Sequence, residues 1–317
     1  MTLPDWFQSG FFYFFFIFIK KVYNEIKEAR KTIRKTGGQN CMLVSVSQIL
    51  KDAQKGGYAI PSPDFWDSSS ARAFVTVAEK LHKPVILSYS QTHENFLSLE
   101  EAAFIGRFYA ETVNVPVALH LDQGMDFKFI DAAIKQGFTS VMIDASQYSF
   151  EENVRRTKEV VEFAHSFSID VEAEIGNVGS EDVNGTHKLS ENVYTDPLMA
   201  AEFVRQTECD CLSVSIGTSH GAYKNGTPKI DFETLKEIRK VVDVPLVLHG
   251  GSGSGDENLH KCAQLGICKV NIFTDFIAGA LQQTYRHPQN TWTKVMTEAE
   301  KKIMEIQEHY YHVLGCD

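Results

Sequence analysis

The chain has 317 residues, 43% of them apolar, and its 31 Lys and Arg against 41 Asp and Glu give a formal net charge of −10. That size and apolar content suit a soluble globular protein with a sizeable core, as one large domain or two ordinary ones. The acidic balance argues against a dedicated nucleic-acid or anionic-membrane binder, while leaving room for a local pocket that takes phosphate.

Residues 6–19 are strongly apolar, rich in Phe, and are followed by Lys20-Lys21. The stretch is shorter than the ~20 residues that span a bilayer. No basic segment precedes it and no small-residue cleavage site follows, which argues against a secretory signal. Residues 20–36 read as a basic helix. An interfacial anchor is one reading. The preferred one is an extension, 1–41, outside the fold and without membrane contact, because globular patterning begins at Met42 and continues through 42–317.

From there the spacing of apolar residues predicts a regular alternation. A helix over 43–53 leads through Gly56-Gly57 to a strand at 58–61, then a loop with Asp64, Trp66 and Asp67. Helix 70–82, strand 84–90, helix 99–112, strand 117–124, helix 126–136 and strand 140–144 follow. Helix 150–167 and strand 169–174 precede a long polar loop. Helix 196–207 and strand 211–217 lead to a second loop with His220. Helix 231–241, strand 244–250, helix 256–265 and strand 267–272 come next, then a helix from about Asp275 and a last one over about 292–314.

Eight strand signals, each followed by a helix, imply parallel strands with right-handed crossovers and fit a closed (β/α)8 TIM barrel. The competitor is a doubly wound open sheet. Neither GxGxxG nor GxxxxGK[ST] follows the first strand, which weakens it.

In a barrel the C-terminal strand ends carry the chemistry. Here they offer Asp64, Ser90, Asp122 with Gln123, Asp144, Glu174, His220, His249, and Asn271 with Asp275. Single members have plainer readings; Asp126 and Asp275 suit helix N-caps. An ionisable or hydrogen-bonding group at every end is more than a structural sheet needs. Two histidines at neighbouring strand ends suggest a metal, and neutral imidazole suits Zn²⁺ or another divalent ion. His120 lies two residues deeper than Asp122 and reads as a core histidine or one supporting a ligand. The run Gly250-Gly251-Ser252-Gly253-Ser254-Gly255, followed by a helix, reads as a phosphate cradle. The six cysteines form no CxxC pair, and four sit in or beside apolar runs. That pattern suits buried reduced thiols in a cytoplasmic protein.

Several of these segments together carry a resemblance. They are His120-Leu-Asp122, Val141-Met-Ile-Asp144, Val171-Glu-Ala-Glu-Ile-Gly176, Ile216-Gly-Thr-Ser-His-Gly221, Val244 to Gly253 and Lys269-Val-Asn-Ile272. In this order, over about 42–285, they resemble class II metal-dependent aldolases of the branch cleaving fructose or tagatose bisphosphate. The resemblance implies a lyase that splits a phosphorylated ketose into dihydroxyacetone phosphate and an aldehyde, with zinc polarising the ketose carbonyl. It assigns His220 and His249 as zinc ligands, Asp122 as the acid/base at the C4 hydroxyl, and Glu174 and Asp144 as alternative metal or supporting carboxylates. Glu181 matches the mobile carboxylate that moves a proton on the enediolate carbon. Gly217, Gly221, Gly250, Ser252, Asn271 and Thr274 match the sites for phosphate and a companion monovalent cation, with Ser90 as a further substrate contact. It also implies a homo-oligomer, dimeric or tetrameric.

The chain departs from the pattern at the site itself. Gln123 stands where the family has a zinc-binding His, so the metal shell needs Gln123, Glu174 or water to complete it. Asp64 stands for Asn and Gln147 for a common His, and the tail lacks the usual arginine-bearing pattern. A non-catalytic descendant that binds a sugar phosphate is the alternative.

Overall fold

The strands are β1 (Ile60–Pro63), β2 (Val85–Ser90), β3 (Val117–Gly124), β4 (Ser140–Ile143), β5 (Asp170–Ile175), β6 (Cys211–Val214), β7 (Leu246–Leu248) and β8 (Ile267–Ile272). They come from a computed structural model that describes residues 42–176, 178, 194–221, 223, 226–286 and 291–316. The expectations for residues 1–41 and for Glu181 lie outside the described residues. The strands pair in parallel in the order β1-β8-β7-β6-β5-β4-β3-β2. Between them run α1 (Val46–Gly56), α2 (Ser68–Leu81), α3 (Leu99–Ala110), α4 (Phe127–Gln136), α5 (Phe150–Ser166), α6 (Pro197–Thr207), α7 (Phe232–Val241) and α8 (Asp256–Gln264). After β8 come α9 (Thr274–Arg286) and α10 (Trp292–Val313). This is the (β/α)8 barrel the alternation predicts.

The seam between β1 and β2 is the thinnest, and the sequence of β1 explains it. The Asp64 N–H donates to Ile272 of β8 at 3.4 Å, whereas that of Phe65 donates to Ser88 of β2 at 2.9 Å. Alternate residues thus serve opposite neighbours, which puts Pro61 and Pro63 on the β2 side, where neither has an N–H to give. Closure rests on the Asp64–Ser88 bridge and a 2.7 Å hydroxyl contact between Ser62 and Ser88. The strand also begins two residues later than the predicted 58–61. Likewise α1 begins at Val46 rather than 43. Ser45 caps it through its side chain, and the backbone before the cap is used instead to pair with Val117.

Registry sets which side chains share the barrel interior. Ser88 lies beside His120, Ser90 beside Asp122, and Ser62 beside Asn271. The interior is therefore polar and charged beneath the mouth, and the large apolar core lies between strands and helices. Val117, Leu119 and Leu121 face outward in β3, and Gly106 of α3 leaves room for Leu119. The final helix, α10, closes the outside of the barrel near the N-terminal ends of the strands. The Tyr311 hydroxyl donates to the Pro84 carbonyl at 2.7 Å, and the Ala59 N–H donates to Leu314 at 3.1 Å. Among the described residues five cysteines are buried, and no helix is long and apolar enough to cross a membrane.

Candidate active site

Strand alternation would send adjacent residues to opposite faces, yet the end of β3 brings Asp122 and Gln123 to one cavity. A register shift against β4 between Leu121 and Gly124 makes this geometry possible, and Gln123 takes a left-handed backbone with φ +50. Such a conformation in a non-glycine residue costs on the order of 1–3 kcal/mol and is typical of functional sites. Asp122 is nearly fully buried; the Asn271 amide donates to its Oδ1 at 3.0 Å, and His249 Nε2 stands 3.9 Å away. Ser90 Oγ donates to Gln123 Oε1 at 3.2 Å.

The two strand-end histidines face one another, ring centroids 5.7 Å apart and planes nearly perpendicular. Burial, followed by the neighbouring His249, lowers the His220 pKa to about 4, so its ring is neutral. Its Nε2 lies 3.1 Å from the Gln123 amide nitrogen. In a neutral ring this nitrogen accepts the amide hydrogen, and the other carries the proton. His249 is fully buried. Burial works against its charge, but the Asp122 and Glu172 carboxylates outweigh it and raise the pKa to about 9. Nε2 is bound to Glu172 Oε1 at 2.9 Å, while Nδ1 meets no partner among the described residues.

Beneath these residues lies a charged network inside the barrel. Lys269 Nζ donates to Glu172 Oε2 at 2.7 Å and lies 3.3 Å from His120 Nε2. Burial and the ammonium keep His120 neutral, so Nε2 accepts from Lys269 and the Nδ1–H donates to Ser140 Oγ at 2.6 Å. Burial alone would raise the Glu172 pKa, yet Lys269 and His249 hold it below the usual carboxylate range. His120, Asp122 and Glu172 bring ligand atoms within 4.8 Å of one another. Lys269 already supplies the cation that this cluster requires, so we read it as an ion-pair network supporting His249.

The cavity at the barrel mouth has a volume of about 310 Å³, the scale of a small-molecule site. Its wall includes Ser90, Asp122, Gln123, His220, Gly221, His249, Gly250, Ser252, Asn271 and Thr274. Three other sequence candidates stand off that wall. Gly217 packs against the Lys229 carbonyl. Glu174 is buried and accepts a hydrogen bond from Ser213 Oγ at 3.1 Å; burial, then Asp144, raises its pKa to about 7. Asp144 accepts from the Ser146 N–H and hydroxyl at 3.1 and 2.7 Å.

Gly250 has φ +69, and a Cβ there would fall 2.4 Å from the Ser219 carbonyl oxygen. Only glycine lets the two loops approach this closely. Ser252 Oγ accepts from the Phe273 and Asp275 N–H groups at 3.2 and 3.3 Å, tying the glycine-rich loop to the start of α9. Asp126 caps α4 as the sequence suggests. Asp275 lies within the first turn of α9 and accepts from the Gly253 N–H and the Tyr310 hydroxyl instead.

Sequence reading missed Glu172, Lys269 and His93 as parts of this region. A lysine inside the apolar strand Ile-Cys-Lys-Val-Asn-Ile, sharing a face with Asn271, was a usable signal. So was Glu172 at two-residue spacing from Glu174. His93, on the cavity wall, carried none.

The donor set fits a divalent metal. His249 presents a buried Nδ1 without a partner among the described residues and has its other nitrogen fixed by a carboxylate. With the proton that Asp122 and Glu172 hold on the ring given up, as metal binding requires, this is the usual arrangement for a metal-binding imidazole. His220 is neutral. A half-turn of the Gln123 amide brings its oxygen toward His220 and leaves the nitrogen facing Ser90, whose hydroxyl accepts as readily as it donates.

A family model described as fructose-bisphosphate aldolase class-II matches residues 44–317. The YdjI aldolase from Escherichia coli K12 is 35% identical over 87% of this chain and 98% of its own, with a TM-score of 0.79. The fructose-bisphosphate aldolase of Campylobacter jejuni shares the fold, with 23% identity, coverage of 87% and 96%, and a TM-score of 0.73.

Proposed function

The chain belongs to the class II fructose-bisphosphate aldolase family, and from that premise we propose that it is a zinc-dependent lyase of phosphorylated ketoses. The proposed substrates are ketose bisphosphates such as fructose or tagatose 1,6-bisphosphate, cleaved reversibly to dihydroxyacetone phosphate and an aldehyde. The observation that carries the reading is Asp122. Its buried carboxylate is held by Asn271, 3.9 Å from His249, on the same cavity as His220 and the Gly250–Ser252 loop.

His220 and His249 would hold the metal, with Gln123 through its amide oxygen and with Glu174 and Asp144 in support. When bound, the metal supplies a Lewis acid for the ketose carbonyl. Asp122 takes the proton from the C4 hydroxyl as the C3–C4 bond breaks and returns it in the reverse direction. Asn271, donating to Asp122 Oδ1, keeps that carboxylate oriented. Glu181 is assigned the proton on the carbon that leaves as dihydroxyacetone phosphate. Gly221, Gly250, Ser252 and Thr274, with Gly217 from behind, are assigned to the phosphate and its monovalent counter-ion, and Ser90 to a substrate hydroxyl or phosphate oxygen. We assign the active form to a cytoplasmic homo-oligomer and residues 1–41 to an extension outside the barrel.

The test is cleavage by the zinc-loaded chain of fructose and tagatose 1,6-bisphosphate, read by triose phosphate release. Turnover on the order of 1–10³ s⁻¹ is expected. Asp122→Asn should lower kcat by about 10²-fold or more with zinc content unchanged. A second reading, a sugar-phosphate binder without catalysis, draws on the Gln123 amide nitrogen 3.1 Å from His220 Nε2. Failure to take up metal or cleave either bisphosphate, with thermal stabilisation by both, would establish that reading instead.

A further inference from the structure

On the outside of the barrel, α3 turns small residues inward and large aromatic ones outward. Ala102, Ala103, Gly106 and Ala110 are buried, and Gly106 meets Leu119 of β3. Phe104 and Phe108, one turn apart, are 66% and 51% exposed, with their rings stacked at 6.4 Å between centroids. A surface helix ordinarily gives its apolar stripe to the core and its polar side to water. Single exposed apolar residues need no explanation, but a grouped aromatic face marks a surface that something covers.

The point where the chain enters the barrel identifies the occupant. The Met42 carbonyl accepts from the Val117 N–H at 2.9 Å, and the Val44 N–H donates to the Val117 carbonyl at 2.9 Å. Val117 opens β3, and α3 ends shortly before it at Ala110. The 1–41 extension therefore joins the barrel beside the end of the helix that carries Phe108. Its residues 6–19 include nine aromatic side chains, the chemistry that an aromatic face accepts. The connecting residues 20–41 reach about 33 Å even at the short helical rise, while α3 is only about 18 Å long. A tether of this length gives an effective concentration on the order of millimolar, which favours the same chain over a second copy. Charge agrees. Residues 20–36 carry seven Lys and Arg against two Glu, and Glu100, Glu101 and Glu111 are exposed around the aromatic face.

We infer that residues 6–19 dock on the Phe104–Phe108 face of α3 in the same chain. The aromatic run then needs no bilayer, and this helix needs no second copy to cover it. The inference is independent of the lyase reading, since no residue of α3 lines the cavity at the barrel mouth.

The test is photo-cross-linking of the full chain with p-benzoylphenylalanine in place of Phe104, in a mixture of unlabelled and isotope-labelled protein. The expected product joins a peptide from residues 6–19 to the α3 peptide, both from chains of one isotope. The same probe in place of Tyr285, which is 76% exposed on α9, should not give that product. Chymotrypsin supplies a second readout. The double variant Phe104→Ser/Phe108→Ser removes the face without entering the core. It should speed cleavage within residues 6–19 at least about tenfold, because cleavage follows the undocked population. Tyr285→Ser should leave that rate unchanged, and thermal unfolding of each variant checks its fold. Cross-links between chains of different isotope would assign the face to a second copy. Sedimentation of the wild type with phosphatidylcholine–phosphatidylserine vesicles would assign residues 6–19 to a membrane. Either result, or equal cleavage rates in the wild type and the double variant, overturns the inference.

Discussion

The amide nitrogen of Gln123 lies 3.1 Å from His220 Nε2, so the lone pair of one strand-end imidazole is engaged by a neutral side chain. Zinc prefers imidazole nitrogen or thiolate to an amide oxygen. Gln123→His should therefore raise zinc affinity by at least about tenfold, measured by competition with a chromophoric chelator. An unchanged affinity would mean that Glu174 or water, rather than position 123, completes the shell.

Lys269 and Glu172 form a fully buried ion pair with Nζ–Oε2 at 2.7 Å. Removing one partner of such a pair leaves an uncompensated charge and typically destabilises by about 3–5 kcal/mol. Lys269→Met should lower stability by that amount in urea titration. Adding Glu172→Leu should recover part of the loss, since the stranded carboxylate is then gone. A Lys269→Met protein as stable as wild type would show that water or a rearranged His249 has satisfied Glu172.

Asp64 gives a pH dependence with a definite sign. Burial, then Asp122, raises its pKa well above the ordinary carboxylate range in the folded chain. The folded state therefore binds a proton more tightly than the unfolded state. Its contribution is fully present below about pH 4 and is lost as pH rises toward and through the raised value. In metal-free protein, Asp64→Asn should flatten the fall of Tm as pH rises above about 4 and raise Tm at the alkaline end. Parallel Tm–pH curves for the two proteins would contradict the assignment.

Gly250 holds the glycine-rich loop against the loop that carries His220. Alanine there meets both an unfavourable φ and the Ser219 carbonyl. Gly250→Ala should cost on the order of 1–3 kcal/mol of stability and weaken inorganic phosphate binding, read by chemical denaturation and calorimetry respectively. Normal phosphate affinity in a destabilised variant would separate the loop's packing role from ligand binding.

Much of this protein is readable from local pattern. Apolar runs alternating with amphipathic segments, each run ending in a polar residue, determine eight parallel strands and place a site at their C-terminal ends. The strand-end positions of Asp122, His220 and His249, and the glycine run after β7, are set by the chain itself. Tertiary structure decided what depends on contacts between distant strands. The register shift in β3 brings Gln123 to the same cavity as Asp122, against simple alternation. Lys269 reaches across from β8 to Glu172 and His120, 97 and 149 residues away in sequence, and only that closure makes a lysine tolerable inside the barrel. His93 gains its place on the wall from Phe96 and from Phe273, a residue that follows the last strand. Periodicity reports which face a residue is on, whereas electrostatics and cavity shape depend on which other strands meet that face.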